Sequence, residues 1–364
     1  MMAEPIRVAQ VMGYMNGGGV ESVVMNYYRH IDREKVQFDF IVCEGSTLVP
    51  REEIESLGGC IFMIPGYREM PRYLSTLVSL FKHERWNIVH SHVNSLSVFP
   101  LYAAKKAGIP VRIAHSHTTS GKDGLVRNAV KNGLCRFSRL YPTHLAACSE
   151  NAAAWLFGKG QPCALFPNGI DVNQFKAARE RRSEFRTQLG LSQDDFVLGH
   201  VGRFVKVKNH AFLIEVYAAL RELIPNARLL LIGDGPLRES VRNKAEDLNL
   251  IDGVMMLGQR SDVPDLLATM DAFCLPSLYE GMPVVGIECQ AAVVPTLVST
   301  RVTKELRMSS LIEFESLDEP PAVWARHILE LVSVPAEYYS SMGEYAIDRC
   351  AGALRDYYLG LLSE

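Results

Sequence analysis

The 364-residue chain is long enough for two domains of roughly 150 residues, each with its own core. A formal net charge of -3 at pH 7 excludes a protein that coats nucleic acid with its whole surface. No apolar run reaches the length that spans a bilayer. The N-terminal MMAEPIRVAQVMGYM lacks the basic start, long apolar core and cleavage site of a signal peptide. Its eight cysteines are scattered singly from Cys43 to Cys350 with no C-x-x-C pair, which predicts buried, reduced thiols in a cytoplasmic protein.

In chain order, IRVAQVMG predicts a strand and VESVVMNYYRHID has helical spacing. FDFIVCEG, CIFMIPG, NIVHSHV, VRIAHSHT and THLAACS predict further strands, rich in Val, Ile and Phe. Apolar runs separated by helices are the pattern of a parallel sheet covered on both faces. The alternation breaks at LFPNGIDVNQF, where Pro167, Asn168 and Gly169 are turn residues and the polar KAARERRSEFRTQ follows. An interdomain linker is predicted there. The alternation restarts with FVLGHVGRF, ARLLLIGDG, GVMMLGQ, AFCLPS and TLVST. The expected class is α/β, with two doubly wound parallel-sheet domains over 1–168 and 169–345. A C-terminal helix over 346–364 is expected, free to pack back on the first domain. Ligands of open α/β sheets sit at the carboxyl ends of the strands, so two such domains face to face would form a cleft.

The first loop, GYMNGGGVES, carries Gly17, Gly18 and Gly19 between a strand and a helix. It suits either a phosphate held on helix N–H groups or a plain strand-to-helix turn. Its spacing is not G-x-G-x-x-G, and LLLIGDGPLRES also lacks the third glycine, so neither is a dinucleotide fingerprint. In GRFVKVKN, Arg203 and Lys208 stand five apart after a strand and could clamp a diphosphate, although short basic loops are often merely solvated. PSLYEGMPVVGIECQAA is the strongest signal. Glu280 and Gly281 lie in a loop, Pro283 suits a first helical turn, and Glu288 follows one to two turns on, at a different depth of the same pocket.

The ordered set GGG, G-R-x-x-x-x-K-N, I-G-D-G-P and E-G-M-P-V-V-G-I-E resembles the largest family of retaining glycosyltransferases of the double-Rossmann, GT-B fold. That is glycosyltransferase family 4, also called glycosyl transferases group 1. RIAHSHT, LFPNGID, LGQRSDVPDLL and TKEL resemble its branch in bacterial exopolysaccharide and capsule synthesis, and the likeness covers nearly the whole chain. The resemblance implies transfer of a sugar from a UDP- or GDP-linked donor to a glycan or lipid-linked acceptor. It implies that Glu280 contacts donor-sugar hydroxyls and Glu288 the ribose. Backbone N–H groups over Gly281, Met282, Pro283 and Val284 would hold sugar or β-phosphate. Arg203 and Lys208 would hold the diphosphate, Gly17, Gly18 and Gly19 would close over it, and Gly258 to Arg260 would border the base. One departure is Val293, which stands where the family has a glycine at a helix end.

His115 and His117 share one face of a strand end at period two, as do His90 and His92. No carboxylate or cysteine joins them at ligand spacing, so no metal is expected. The resemblance assigns His117 to the acceptor side near the reacting carbon and leaves the other three as structural or cleft-lining. No D-x-D is present, so Arg203, Lys208 and helix N-termini would replace a divalent cation, and no cofactor is implied. Lys122 to Arg139 is basic and partly amphipathic, which suits peripheral contact with the inner membrane surface or an ordinary solvated face. A sugar-nucleotide 2-epimerase of the same fold is the rival reading, and a non-catalytic sugar-nucleotide binder is a third.

Overall fold

The computed structural model describes residues 4–118, 133–334 and 340–363. It divides into two compact units, Met1–Ile170 with Glu344–Glu364, and Asp171–Gly343.

In the first unit the strands are β1 (Ile6–Gly13), β2 (Val36–Cys43), β3 (Cys60–Ile64), β4 (Ile88–Ser91), β5 (Val111–Ser116), β6 (His144–Ala147) and β7 (Ala164–Leu165). They form one parallel sheet in the order β3-β2-β1-β4-β5-β6-β7. Every residue of β2 is buried, as befits a central strand covered on both faces. The order reverses direction between β1 and β4, where Gln10 lies opposite His90. The helix Gly19–His30 lays Tyr28 on Phe38, with ring centroids 5.2 Å apart. The C-terminal helix Ile347–Gly360 belongs to this unit and packs on Gly19–His30. Ile170 pairs with Ala346 in a parallel bridge at its start.

In the second unit β8 (Phe196–Val201), β9 (Ala227–Ile232), β10 (Val254–Gly258), β11 (Ala272–Leu275), β12 (Thr296–Ser299) and β13 (Ile312–Glu315) form a parallel sheet ordered β10-β9-β8-β11-β12-β13. Its core gathers Leu198, Leu229, Leu231, Tyr217 and Trp324. The reversal here falls between β8 and β11. Such a switch point leaves a crevice at the carboxyl ends of the two strands.

The polar KAARERRSEFRTQ stretch is not extended. It forms the helices Val172–Glu180 and Arg182–Gln188 within the second unit. Its arginines satisfy carbonyls at the end of the helix Val263–Ala268, which has no i+4 partners for them. Arg182 donates to Ala268 O at 2.5 Å and Met270 O at 2.7 Å, and buried Arg186 donates to Thr269 O at 3.3 Å. Val293 has φ of 56°, a left-handed backbone that strains a β-branched side chain.

Candidate active site

The loops after β8 and β11 meet at the switch point of the second unit. Asn209 takes a left-handed backbone, φ 55°, and its Nδ2 donates to Pro276 O at 3.1 Å. Leu278 N donates to Val207 O at 2.8 Å. These bonds bring Lys208 to Glu280, with Nζ 2.7 Å from Oε1. Ser277 Oγ donates to the same Oε1 at 2.6 Å. Both bonds go to one oxygen, so Oε2 faces away from this bonding, and Lys208 retains two N–H donors. The pair is largely shielded, with side chains 17% and 14% exposed, which strengthens a charge-assisted bond. Arg203 is exposed, and its guanidinium bonds to no described residue.

Backbone approach here depends on glycine. A Cβ on Gly233, at φ +127°, would lie 2.2 Å from Gly202 O. The I-G-D-G turn is therefore a close-packed support for the Arg203 loop. Phe204 N donates to Asp234 O at 3.0 Å across the same contact.

The helix Val284–Ala291 begins just beyond Glu280. Its first turn has N–H groups without intrahelical partners. Pro283 has no N–H, so of the span Gly281 to Val284 it cannot be one of the expected donors. Glu288 lies one turn into this helix and keeps part of its surface, yet burial pushes its carboxyl up to about 7. Beneath Lys208, His200 and His210 lie 4.6 Å apart at their ring centroids. Burial holds them neutral, lowering His200 to about 3 and His210 to about 2, with the Lys208 charge adding to the effect. His200 Nδ1 donates to Cys274 O at 2.8 Å, so Nδ1 is the protonated nitrogen of the neutral ring. Arg260 is exposed and paired with Asp262 at 2.5 Å.

In the first unit the glycine loop is capped from within. Glu21 Oε2 accepts from Gly17 N at 2.6 Å and Gly18 N at 2.8 Å, a carboxylate standing where an anion would sit, while Gly19 begins the helix. The four histidines His90, His92, His115 and His117 cluster together, all buried. They surround a cavity of about 20 Å³ with Gln10 and Tyr358. His92 Nδ1 lies 2.8 Å from His117 Nε2, and His117 N donates to Asn94 Oδ1 at 2.8 Å. Nitrogens of His90, His92 and His115 come within 4.8 Å of one another, so a metal-sized grouping exists that the sequence reading discounted. Of the basic segment Lys122 to Arg139, residues 122–132, with Arg127 and Lys131, lie outside the described residues.

Sequence reasoning passed over Ser277, Asn209's hold on Pro276, Gln10 and Tyr358. Ser277 could have been found, three residues before Glu280 at a strand end. Tyr358 carries no local signal.

Residues 17–174 match the family model described as Glycosyltransferase Family 4, and residues 181–349 match Glycosyl transferases group 1. The chain is 38% identical over 333 residues to the glycosyltransferase EpsF of Bacillus subtilis (strain 168), covering 88% of this chain and 86% of that one. It is 28% identical to an Escherichia coli protein named UDP-Gal:alpha-D-GlcNAc-diphosphoundecaprenol alpha-1,3-galactosyltransferase, covering 81% and 79%. Among solved structures, Anabaena HepE in complex with UDP and glucose superimposes with a TM-score of 0.78 at 16% identity, over 98% of this chain and 100% of that one. That likeness is one of fold, the GT-B arrangement of two parallel-sheet domains. The chain belongs to the family 4 glycosyltransferases, the glycosyl transferases of group 1.

Proposed function

We propose that the protein is a retaining, metal-independent transferase that moves a hexose from a UDP-sugar to a lipid-linked glycan acceptor in bacterial surface polysaccharide synthesis. The observation that carries this is the Lys208–Glu280 pair at the β8/β11 switch point with Arg203 unpaired beside it. Breaking the bond between the sugar carbon and the phosphate oxygen leaves negative charge on the diphosphate. Lys208 and the fork of Arg203 stabilise it, aided by the backbone N–H groups of Gly281 and Val284 at the helix start. Glu280 Oε2 accepts from a sugar hydroxyl, while its Oε1 keeps Lys208 in place. Glu288 accepts from the ribose. The acceptor oxygen bonds to the same face of the sugar carbon, and its proton passes to the leaving phosphate oxygen.

His117 serves the acceptor side by orientation rather than proton transfer. One of its ring nitrogens is bonded to His92, and the other is buried. The choice of uracil nucleotide and lipid-linked acceptor is supported by the printed name of the Escherichia coli relative and by the UDP bound in the Anabaena structures. Exposed Arg136, Phe137, Arg139 and Leu140 give the first unit a basic and apolar surface suited to anionic lipid.

The test is release of UDP from UDP-galactose, with and without a polyprenyl diphosphate-linked N-acetylglucosamine, in excess EDTA. The expected result is acceptor-dependent release and a product of retained anomeric configuration. Conversion of the UDP-sugar to its C2 epimer without net release of UDP would favour the epimerase reading. Activity lost in chelator and restored by magnesium or manganese would overturn the charge assignment.

A further inference from the structure

Six buried polar side chains of the first unit form a single hydrogen-bonded chain with two loose ends. Gln10 stands third along it. Its Oε1 lies 2.8 Å from His92 Nε2, and its Nε2 donates to Tyr358 Oη at 3.2 Å. Along one arm His92 Nδ1 meets His117 Nε2 at 2.8 Å. Along the other, Tyr358 Oη lies 2.5 Å from His90 Nδ1, and His90 Nε2 lies 3.0 Å from His115 Nδ1. The chain ends at His117 Nδ1 and His115 Nε2, both buried and both without a partner.

A neutral imidazole has one N–H and one lone pair, so each bond fixes the next. Burial lowers all four histidines far below their usual range, to about 3 for His90 and His117. If Gln10 Oε1 accepts from His92 Nε2, His92 Nδ1 must accept from His117 Nε2, and His117 Nδ1 is left as a lone pair. Gln10 Nε2 donates to Tyr358, which donates to His90 Nδ1. His90 Nε2 then donates to His115 Nδ1, and His115 Nε2 is left as an N–H. Turning the amide over reverses every bond, but the two ends still differ in sense.

We propose that Gln10 and Tyr358 are positioning residues that lock His115 and His117 into opposite hydrogen-bonding senses, one presenting an N–H and the other a lone pair. The cavity of about 20 Å³ beside the rings is walled almost wholly by carbon, with Val23, Val24, Phe38, Phe166 and Leu354 in its lining, so the chain is held by its own bonds. A metal ion is the competing reading. However, both ring nitrogens of His90 and of His92 are already bonded, so coordination through them would break this chain.

The inference stands apart from the transfer reading, because its readouts need no substrate. In the full chain labelled with ¹⁵N-histidine, long-range ¹H–¹⁵N spectra at pH 7 should show these four rings neutral and all in one tautomer. Tyr358→Phe keeps the ring that lies 6.1 Å from Phe38 but removes the hydroxyl. It should release His90 and His115 into tautomer exchange and leave His92 and His117 unchanged. Gln10→Leu should release all four. Mixed tautomers in the unaltered protein, or a Tyr358→Phe variant with unmoved signals, would overturn the lock, as would an anomalous scatterer at about 2.0–2.1 Å from histidine nitrogens in a crystal structure.

Discussion

The two units share a strand order and differ in what they place at the switch point. In the first, β1 carries Gln10, β4 carries His90 and His92 follows it, all uncharged and sealed from solvent. In the second, the loops after β8 and β11 carry Arg203, Lys208 and Glu280, with Lys208 bonded to Glu280. Desolvation explains the split. A ring with no access to water gives up its charge, and the four histidines have none. One topology thus supplies both a rigid neutral support and an electrostatic clamp.

The largest effect is expected from breaking the clamp. Lys208→Ala should lower turnover by about two to three orders of magnitude, the usual cost of losing a charge-assisted contact to a developing anion. Arg203→Ala should lose a similar amount, and Arg203→Lys should recover only part, because a point charge does not reproduce the fork. The Lys208→Ala/Glu280→Ala double variant should lose less than the sum of the two single effects, since each residue holds the other. Strict additivity, measured on kcat/KM, would show that the pair is not a functional unit.

The second contrast is in pH dependence. The four histidines of the first unit have lowered native pKa values, so the unfolded chain binds protons that the folded chain refuses. Their stability contribution is complete above the unfolded value of about 6.5 and is lost progressively as pH falls toward about 3. Hydrogen exchange between pH 7 and pH 5 should therefore show β4 and β5 losing protection as the pH falls. Glu288 has the opposite sign. Its carboxyl is raised from 4.5 to about 7, so the folded chain holds the extra proton, and stability falls as pH rises across that window. Glu288→Gln should remove this slope, and an unchanged difference between variant and parent from pH 4.5 to 7 would refute the raised value.

Much of this was legible in the sequence. The central strands announced themselves as apolar runs because they are buried on both faces. Two edge strands did not: Ala164–Leu165 is too short to carry a pattern, and Ile312–Glu315, IEFE, alternates with acids because β13 has a neighbour on one side only. KAARERRSEFRTQ read as a linker because its arginines are polar by composition, although they serve carbonyls inside the unit. Period two put His90 with His92 and His115 with His117. The Gln10–Tyr358 bond spans 348 residues and could not be read locally. The motifs singled out Lys208 and Glu280, but their contact follows from the adjacency of β8 and β11, which only the strand order supplies.

The smallest effect concerns how each unit ends the helix behind its switch point. In the first unit Gly108, φ +87°, follows the helix Val98–Ala107, and Ile109 N donates to Ala104 O at 3.0 Å. In the second, Val293, φ 56°, follows Val284–Ala291, and Val294 N donates to Cys289 O at 2.9 Å. The turn is the same and only one unit uses glycine for it. Gly108→Val should cost about 1–2 kcal/mol, the penalty of a left-handed backbone with a Cβ. Nothing offsets it, because a Cβ there meets no atom within 4 Å. Val293→Gly should relieve the same strain but expose a buried isopropyl site, 8% accessible in the folded chain. Losing that burial costs about 1.5–3 kcal/mol, so the net effect should fall between a gain of about 0.5 and a loss of about 2 kcal/mol. Denaturant unfolding of the full chain reads both substitutions. A clear gain from Val293→Gly would mean that the valine is strained without compensation, and a neutral Gly108→Val would mean that this turn tolerates side chains in either unit.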